Sequence, residues 1–202
     1  MNKNNTAALI LAAGSSQRMA SPKALLQFNE DMTFLEKIVK TYAEWGCNKI
    51  VAVVNPSLDA ILKKMNLQIE LVTFVVNDHP EHERFYSVKL GLRKVTLPFC
   101  FIQNVDNPFI DEIILDEIYS HRSTEKYVSP IFNGQGGHPV LLNQKNIISI
   151  STHEDNSANF KELMQTYDCY RLEMNDSRVL ININSPEEYE KVFNDFSNKS
   201  DN

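Results

Sequence analysis

Short apolar runs alternate with amphipathic stretches along the whole chain, which predicts an α/β protein built on a mainly parallel sheet. Ala7 to Leu11, Lys49 to Val54, Ile69 to Val76 and Cys100 to Gln103 read as strands. A later group at Tyr127 to Ser129, Tyr170 to Glu173 and Val179 to Ile183 extends the sheet. Between them, Leu35, Ile38, Val39 and Tyr42 fall on one helical face behind Thr33 and Glu36, a T-x-x-E capping box, and Gly46 ends that helix. Further helices are expected from near Ser57, from near Ser87, from Asp111 with its stripe of Ile110, Ile113, Ile114 and Ile118, and over Ser157 to Thr166. The last one is marked by Ser185 as N-cap, Pro186 at the first helical position and Glu188 closing a second capping box. No repeat or Gly/Ser/Pro linker interrupts this pattern. Residues 1–196 are therefore expected to form one domain, with the polar string 197–202 a disordered tail.

The first apolar run empties into Leu11-Ala12-Ala13-Gly14-Ser15-Ser16-Gln17-Arg18-Met19-Ala20-Ser21-Pro22-Lys23. Side chains this small let backbone N–H groups close on phosphate oxygens, while Arg18 and Lys23 offset charge that amides alone do not neutralise. Neither a G-x-G-x-x-G fingerprint nor a G-x-x-x-x-G-K-[ST] loop is present, and Lys23 follows Pro22 instead of Gly. A second apolar run ends in Asn104-Val105-Asp106-Asn107-Pro108, placing Asp106 at the C-terminal edge of the sheet. There it can organise a turn or hold a hard cation. Gly134-Gln135-Gly136-Gly137-His138-Pro139 then leads into Val140-Leu141-Leu142. Glycine here permits close approach of a second substrate, whose phosphate His138 can meet as a hydrogen-bond donor; a plain turn into a strand has the same pattern.

Taken in order, these segments resemble the MobA-like nucleotidyltransferases, the family that includes the cytidylyl- and guanylyltransferases of molybdenum-cofactor synthesis. The resemblance runs from Ala7 to about Phe196. It implies a single-domain, Rossmann-like GT-A type fold of about seven strands with the nucleotide over the C-terminal ends of the first strands. It further implies that Leu11, Ala12, Ala13, Gly14, Ser15, Ser16, Arg18 and Lys23 bind the nucleotide, joined near the base by Ser87. Asp106 matches the main magnesium ligand, and Asn182 a second ligand where the family usually carries Asp; Asn184 is read as shaping the turn. Gly136, Gly137 and His138 match the acceptor segment, and Arg18, Lys23 and Asp106 are the expected catalytic residues.

The implied reaction is magnesium-dependent transfer of a nucleoside monophosphate from a triphosphate to a phosphate-bearing acceptor such as molybdopterin, with release of pyrophosphate. CTP is the first choice of donor, because Ala12-Ala13-Gly14 resembles the cytidylyl branch more than the Ala-Gly-Gly of the guanylyl branch. Several positions depart from the family pattern: Ala20 for Gly, Phe85 and Tyr86 for small residues, and Glu154 to Asn159 without a basic residue. A sugar or alcohol phosphate therefore remains open as acceptor, as does a non-catalytic nucleotide-binding regulator.

Composition narrows the partners. At 202 residues, 43% hydrophobic and 23% charged, the chain suits a soluble domain with a sizeable core. A net charge of -6 argues against nucleic acid, which needs a broad basic face. The longest N-terminal apolar run, Ala7 to Ala13, is short for a membrane span or signal peptide. Cys47, Cys100 and Cys169 are odd in number and widely spaced, which predicts no disulfide framework or cysteine zinc site and a cytoplasmic setting. His79 and His82, in a proline-bearing polar loop, and lone His121 and His153 read as surface residues.

Overall fold

The computed structural model describes residues 3–14, 19, 21–65 and 71–197. Strand β1 (Thr6–Ala12) carries no charge and is buried along almost its whole length, as a central parallel strand covered on both faces must be. It pairs in parallel with β2 (Lys49–Val54) on one side and β4 (Phe99–Asn104) on the other; β3 (Val72–Val76) continues the parallel set outside β2. Beyond β4 the sheet turns mixed. Strand β7 (Val140–Asn143) runs antiparallel to β4, β5 (Tyr127–Phe132) lies antiparallel beyond it, and β6 (Gln135–Gly136) and β8 (Cys169–Glu173) both pair with β5.

The result is an α/β domain on an eight-stranded, mostly parallel mixed sheet. The strand with no forerunner in the sequence pattern is β6, a two-residue arm after Asn133 and Gly134, both at positive φ. An Asn-Gly pair of this kind makes a tight hairpin turn, too short to leave any periodicity in the sequence.

Helix α1 (Phe34–Trp45) has the expected capping box, with Thr33 accepting from the Glu36 N–H and Glu36 accepting from that of Thr33; Gly46 closes it at φ 100°. Asn55 caps α2 (Pro56–Lys64) and Asp111 caps α4 (Glu112–Ser120). Helix α3 (Glu83–Leu92) has already begun when it reaches Ser87, so that serine lies within the helix and is not its cap. Helix α5 (Gln144–Thr152) was not legible in the pattern. Asn143 both ends β7 and caps α5, so strand and helix join without a loop. Helix α6 (Phe160–Gln165) is shorter than the expected span because Asn159 takes the Lys161 and Glu162 amides and sets the start.

The expected strand at Val179 to Ile183 is absent; Ser177–Leu180 forms a 3-10 turn instead. The Asp176 carboxylate accepts from both the Arg178 N–H and its guanidinium, which winds the chain into that turn and keeps it out of the ladder. Helix α7 (Pro186–Ser197) follows and takes in Ser197, the first residue of the predicted 197–202 tail; residues 198–202 lie outside the described residues. Ser185 accepts from the Glu188 N–H, whereas the Glu188 carboxylate reaches the Asn184 N–H.

Alternation along β1 sends Ala8, Ile10 and Ala12 to the face covered by α1 and α4, and Ala7 and Leu9 to the face covered by α3 and α5. A third apolar cluster, Phe34, Phe109 and Ile183 with Tyr189 and Phe193, docks α7 and fixes the turn before it. No described helix is long and apolar enough to cross a membrane.

Candidate active site

Leu11 pairs with Asn104, so the chain leaves β1 and β4 side by side at the C-terminal edge of the sheet, where open α/β sheets bind ligands. The turn after β4 is anchored from below. The Val105 N–H donates to the Leu11 carbonyl, and the Tyr42 hydroxyl donates to buried Gln103, whose amide spans the carbonyls of Asn104 and Asn107. Buried Asn107 in turn donates to the carbonyls of Arg178 and Val179, and the Ile183 N–H donates to the Asp106 carbonyl at 2.8 Å. Each of these bonds satisfies a polar group that would be costly to bury alone.

The scaffold presents Asp106 to Lys23. Lys23 Nζ lies 3.1 Å from Asp106 Oδ2 and donates to Asn184 Oδ1 at 2.8 Å. The side chains are only 16% and 21% exposed, so this ion pair is screened less than one at the open surface. Asp106 Oδ1 is buried with no hydrogen-bond partner among the described residues. An anionic oxygen left that way is a donor atom suited to a hard divalent cation. Asn182 sits in the adjoining turn, its amide donating to the Leu180 carbonyl and its own carbonyl accepting from Asn184.

The start of the loop after β1 is tethered by Asn55, whose amide donates to the carbonyls of Ala13 and Gly14. Leu11 and Ala12 belong to β1, while Ser15, Ser16 and Arg18 lie outside the described residues. Among the described residues a Cβ on Gly14 would meet nothing within 4 Å, so none of them demands glycine there. Gly14→Ala is therefore expected to change stability by less than about 0.5 kcal/mol. If the loop holds phosphates, the added methyl should weaken nucleoside triphosphate binding by roughly tenfold, about 1.4 kcal/mol. Denaturant unfolding and a nucleotide titration check the two halves, and unchanged affinity would remove Gly14 from the phosphate loop.

Ser87 is 5% exposed and accepts from the Asn77 amide at 2.8 Å. The Asn77 N–H bonds the Val54 carbonyl at the end of β2. Sequence reasoning passed over Asn77, and it also passed over Arg84. Arg84 lies one helical turn before Ser87, a spacing that puts both on one face of α3 and was the available signal. Solvent reaches the Arg84 side chain, yet surrounding protein lowers its pKa by desolvation, and Asp106 opposes that shift. Its guanidinium also covers the Phe160 ring at 5.3 Å.

The glycine segment divides. Gly136 lines a hollow of about 310 Å³ with Tyr127, Ser129, Ile131 and Arg171, whereas Gly137 is buried and donates to the Pro130 carbonyl. A Cβ on Gly137 would stand 2.6 Å from the Val179 carbonyl oxygen, so close backbone packing accounts for that glycine. The His138 N–H donates to the same Val179 carbonyl, and its ring Nδ1 is buried with no partner among the described residues. Burial, with Arg84 adding to it, pushes the imidazole pKa down to about 4, so the ring is neutral at pH 7.

That shift has a consequence for stability. The unfolded chain takes up the imidazole proton near pH 6.5 and the folded chain only near 4, so stability present above 6.5 is lost as the pH falls toward 4. The loss is at most about 3 kcal/mol. Urea midpoints measured over this range should fall less steeply for His138→Gln than for the parent. A parent-minus-variant difference that does not change with pH would show that the ring is not held neutral.

The Glu154 to Asn159 segment, which has no cation of its own, is gripped by Lys89 of α3. The Lys89 ammonium is buried, donating to the His153 carbonyl and to Asn156 Oδ1. These bonds give it a structural role in holding the segment.

Comparison with known proteins places the chain in a family. Residues 8–169 match the MobA-like NTP transferase domain. No curated protein matches the chain. Among solved structures, a nucleotidyl transferase from Methanothermobacter is 19% identical, with a TM-score of 0.78 over 96% of this chain and 98% of that one. Rv0371C from Mycobacterium tuberculosis in complex with manganese is 16% identical, with a TM-score of 0.72 over 93% and 97%. The 2-C-methyl-D-erythritol 4-phosphate cytidylyltransferase from Thermus thermophilus is 15% identical, with a TM-score of 0.61 over 90% and 94%. At these identities the likeness is one of fold; it is the domain match over most of the sequence that makes the chain a nucleotidyltransferase of the MobA-like NTP transferase family.

Proposed function

We propose that the protein transfers a nucleoside monophosphate, CMP in the first instance, from a nucleoside triphosphate to a phosphate-bearing small molecule. The observation that carries this reading is the Lys23, Asp106 and Asn184 cluster near the ends of β1 and β4, with Asp106 Oδ1 left without a partner among the described residues. A phosphate oxygen of the acceptor attacks the α-phosphorus in line, a new P–O bond forms, and the bond to the β-phosphate oxygen breaks to release pyrophosphate. A phosphate nucleophile is already ionised near neutral pH, so no side-chain base is required. The protein acts by positioning and charge.

In this reading the amides from Ala13 to Ser16 hold the triphosphate, and Lys23 and Arg18 offset charge on the α-phosphate and the leaving group. Arg84, whose charge feels Asp106, adds a third cation. Neutral His138 serves as a hydrogen-bonding group toward the acceptor, exposed Gly136 borders its path, and buried Gly137 lets the segment pack against Val179 beneath it. Ser87, braced by Asn77, faces the base. Asp106 is the main ligand for Mg2+, with Asn182 supplying an amide oxygen as the second. The ion neutralises triphosphate charge when bound. The manganese complex of Rv0371C supports a divalent metal in a protein of this fold.

CTP as donor rests on Ala12-Ala13-Gly14, and a cytidylyltransferase among the structural neighbours supports it. That neighbour's name also supports an alcohol phosphate as acceptor, beside a sugar phosphate or molybdopterin. The test is a titration of CTP, GTP, ATP and UTP, followed by pyrophosphate release with Mg2+ across the three acceptor classes. Preferential CTP binding and turnover with one class is the expected result. Triphosphate binding without turnover on any acceptor would favour a nucleotide-binding regulator.

A further inference from the structure

We propose that His79, Glu81 and His82 form a site for a borderline divalent transition-metal ion of the Zn2+ type, separate from the oxygen site at Asp106. The three residues lie in the turn between β3 and α3, and their donor atoms are all within 4.8 Å of one another. Glu81 Oε1 is 2.9 Å from His79 Nδ1 and 3.9 Å from His82 Nε2. A tetrahedral ion with bonds of about 2.0–2.1 Å holds its ligands about 3.4 Å apart. The side chains of His79 and Glu81 are exposed and reach that spacing by small rotations.

The other ring nitrogens also have partners. His82 Nδ1 is 2.8 Å from Ser157 Oγ, and His79 Nε2 is 3.6 Å from Asp78 Oδ1, within ion-pairing distance. Outer partners of this kind keep the proton on the far nitrogen and leave the near one its lone pair for a metal. The backbone is held as well: the His79 N–H donates to Asn77 Oδ1 and the His82 N–H to the His79 carbonyl. The Tyr86 ring packs against both imidazoles, with centroids 5.6 and 5.1 Å away.

Two imidazoles and one carboxylate favour Zn2+, Co2+ or Ni2+ over Mg2+, which prefers oxygen and keeps its water. The two sites therefore sort cations by ligand chemistry. An ion here pins the β3–α3 turn, which carries Asn77, and the His82–Ser157 hydrogen bond ties that turn to the Ser157 segment.

The test is Zn2+ titrated into chelator-stripped protein without nucleotide, followed by competition with a chromophoric chelator and by thermal unfolding. One equivalent should bind with a Kd at or below about 10 μM, and Tm should rise on binding. His79→Ala with His82→Ala should abolish both signals. Ser157→Ala should weaken Zn2+ binding by roughly 10–100-fold, an effect that nonspecific adhesion to two surface imidazoles would not show. Cys47→Ser with Cys169→Ser, and separately Asp106→Asn, should leave Zn2+ affinity as in the parent. The proposal is overturned if the parent binds no stoichiometric Zn2+, if the histidine variant retains it, if the cysteine or Asp106 variant loses it, or if Ser157→Ala binds like the parent.

Discussion

Asp106→Asn is expected to lower metal-dependent turnover by at least about a thousandfold, some 4 kcal/mol of transition-state stabilisation. The substitution keeps the size of the side chain but replaces an anionic oxygen with an amide. It thereby removes the charge that would hold a divalent ion and also the anionic partner of Lys23. The surrounding turn is held by Gln103, Asn107 and the Ile183 N–H, none of which bonds the Asp106 carboxylate, so the fold should persist. Pyrophosphate release measured against Mg2+ concentration reads the effect, with thermal unfolding as the control. Asn182→Asp supplies the opposite case: a carboxylate in place of an amide should preserve or tighten Mg2+ binding. Parent-like turnover in Asp106→Asn would reduce the acidic turn to a structural role.

Lys23→Met should cost about 3 to 4 kcal/mol in kcat/KM, the size of effect seen when one preorganised electrostatic donor is lost. Methionine keeps the apolar stem and removes only the ammonium that joins Asp106 to Asn184. If Lys23 acts on charge that develops in the transition state, kcat and kcat/KM fall together; if it only anchors the triphosphate, KM rises with kcat unchanged. Stability should drop by about 1 to 3 kcal/mol, because a partly buried carboxylate loses its cationic partner. An unfolded variant, or one with unaltered kinetics, would count against a catalytic role.

Much of the architecture is legible without coordinates where the signal is local. The capping box at Thr33 and Glu36, the apolar stripe of α1 and the uncharged run of β1 act over a few residues, and the structure has all three. The signal fails where a residue serves two elements or where distant chain competes for the backbone. Asn143 hides the junction of β7 and α5, and the Val179 carbonyl, taken by His138 and Asn107, belongs to a turn where apolar residues suggest a strand. Arg84 and Asn77 were missed because each lies in an unremarkable local context and matters only through what faces it.

By itself, then, the sequence determined the α/β class, the parallel half of the sheet and the acidic turn that ends β4, since hydrophobic period, caps and turn residues are short-range properties. Only the tertiary structure decided that Lys23 reaches Asp106 and Asn184, partners 83 and 161 residues away. It alone decided that His138 is buried enough to stay neutral and that His82 meets Ser157, 75 residues away. Such contacts depend on how the strand ends and the α7 docking cluster bring distant segments together, and no local pattern encodes that distance.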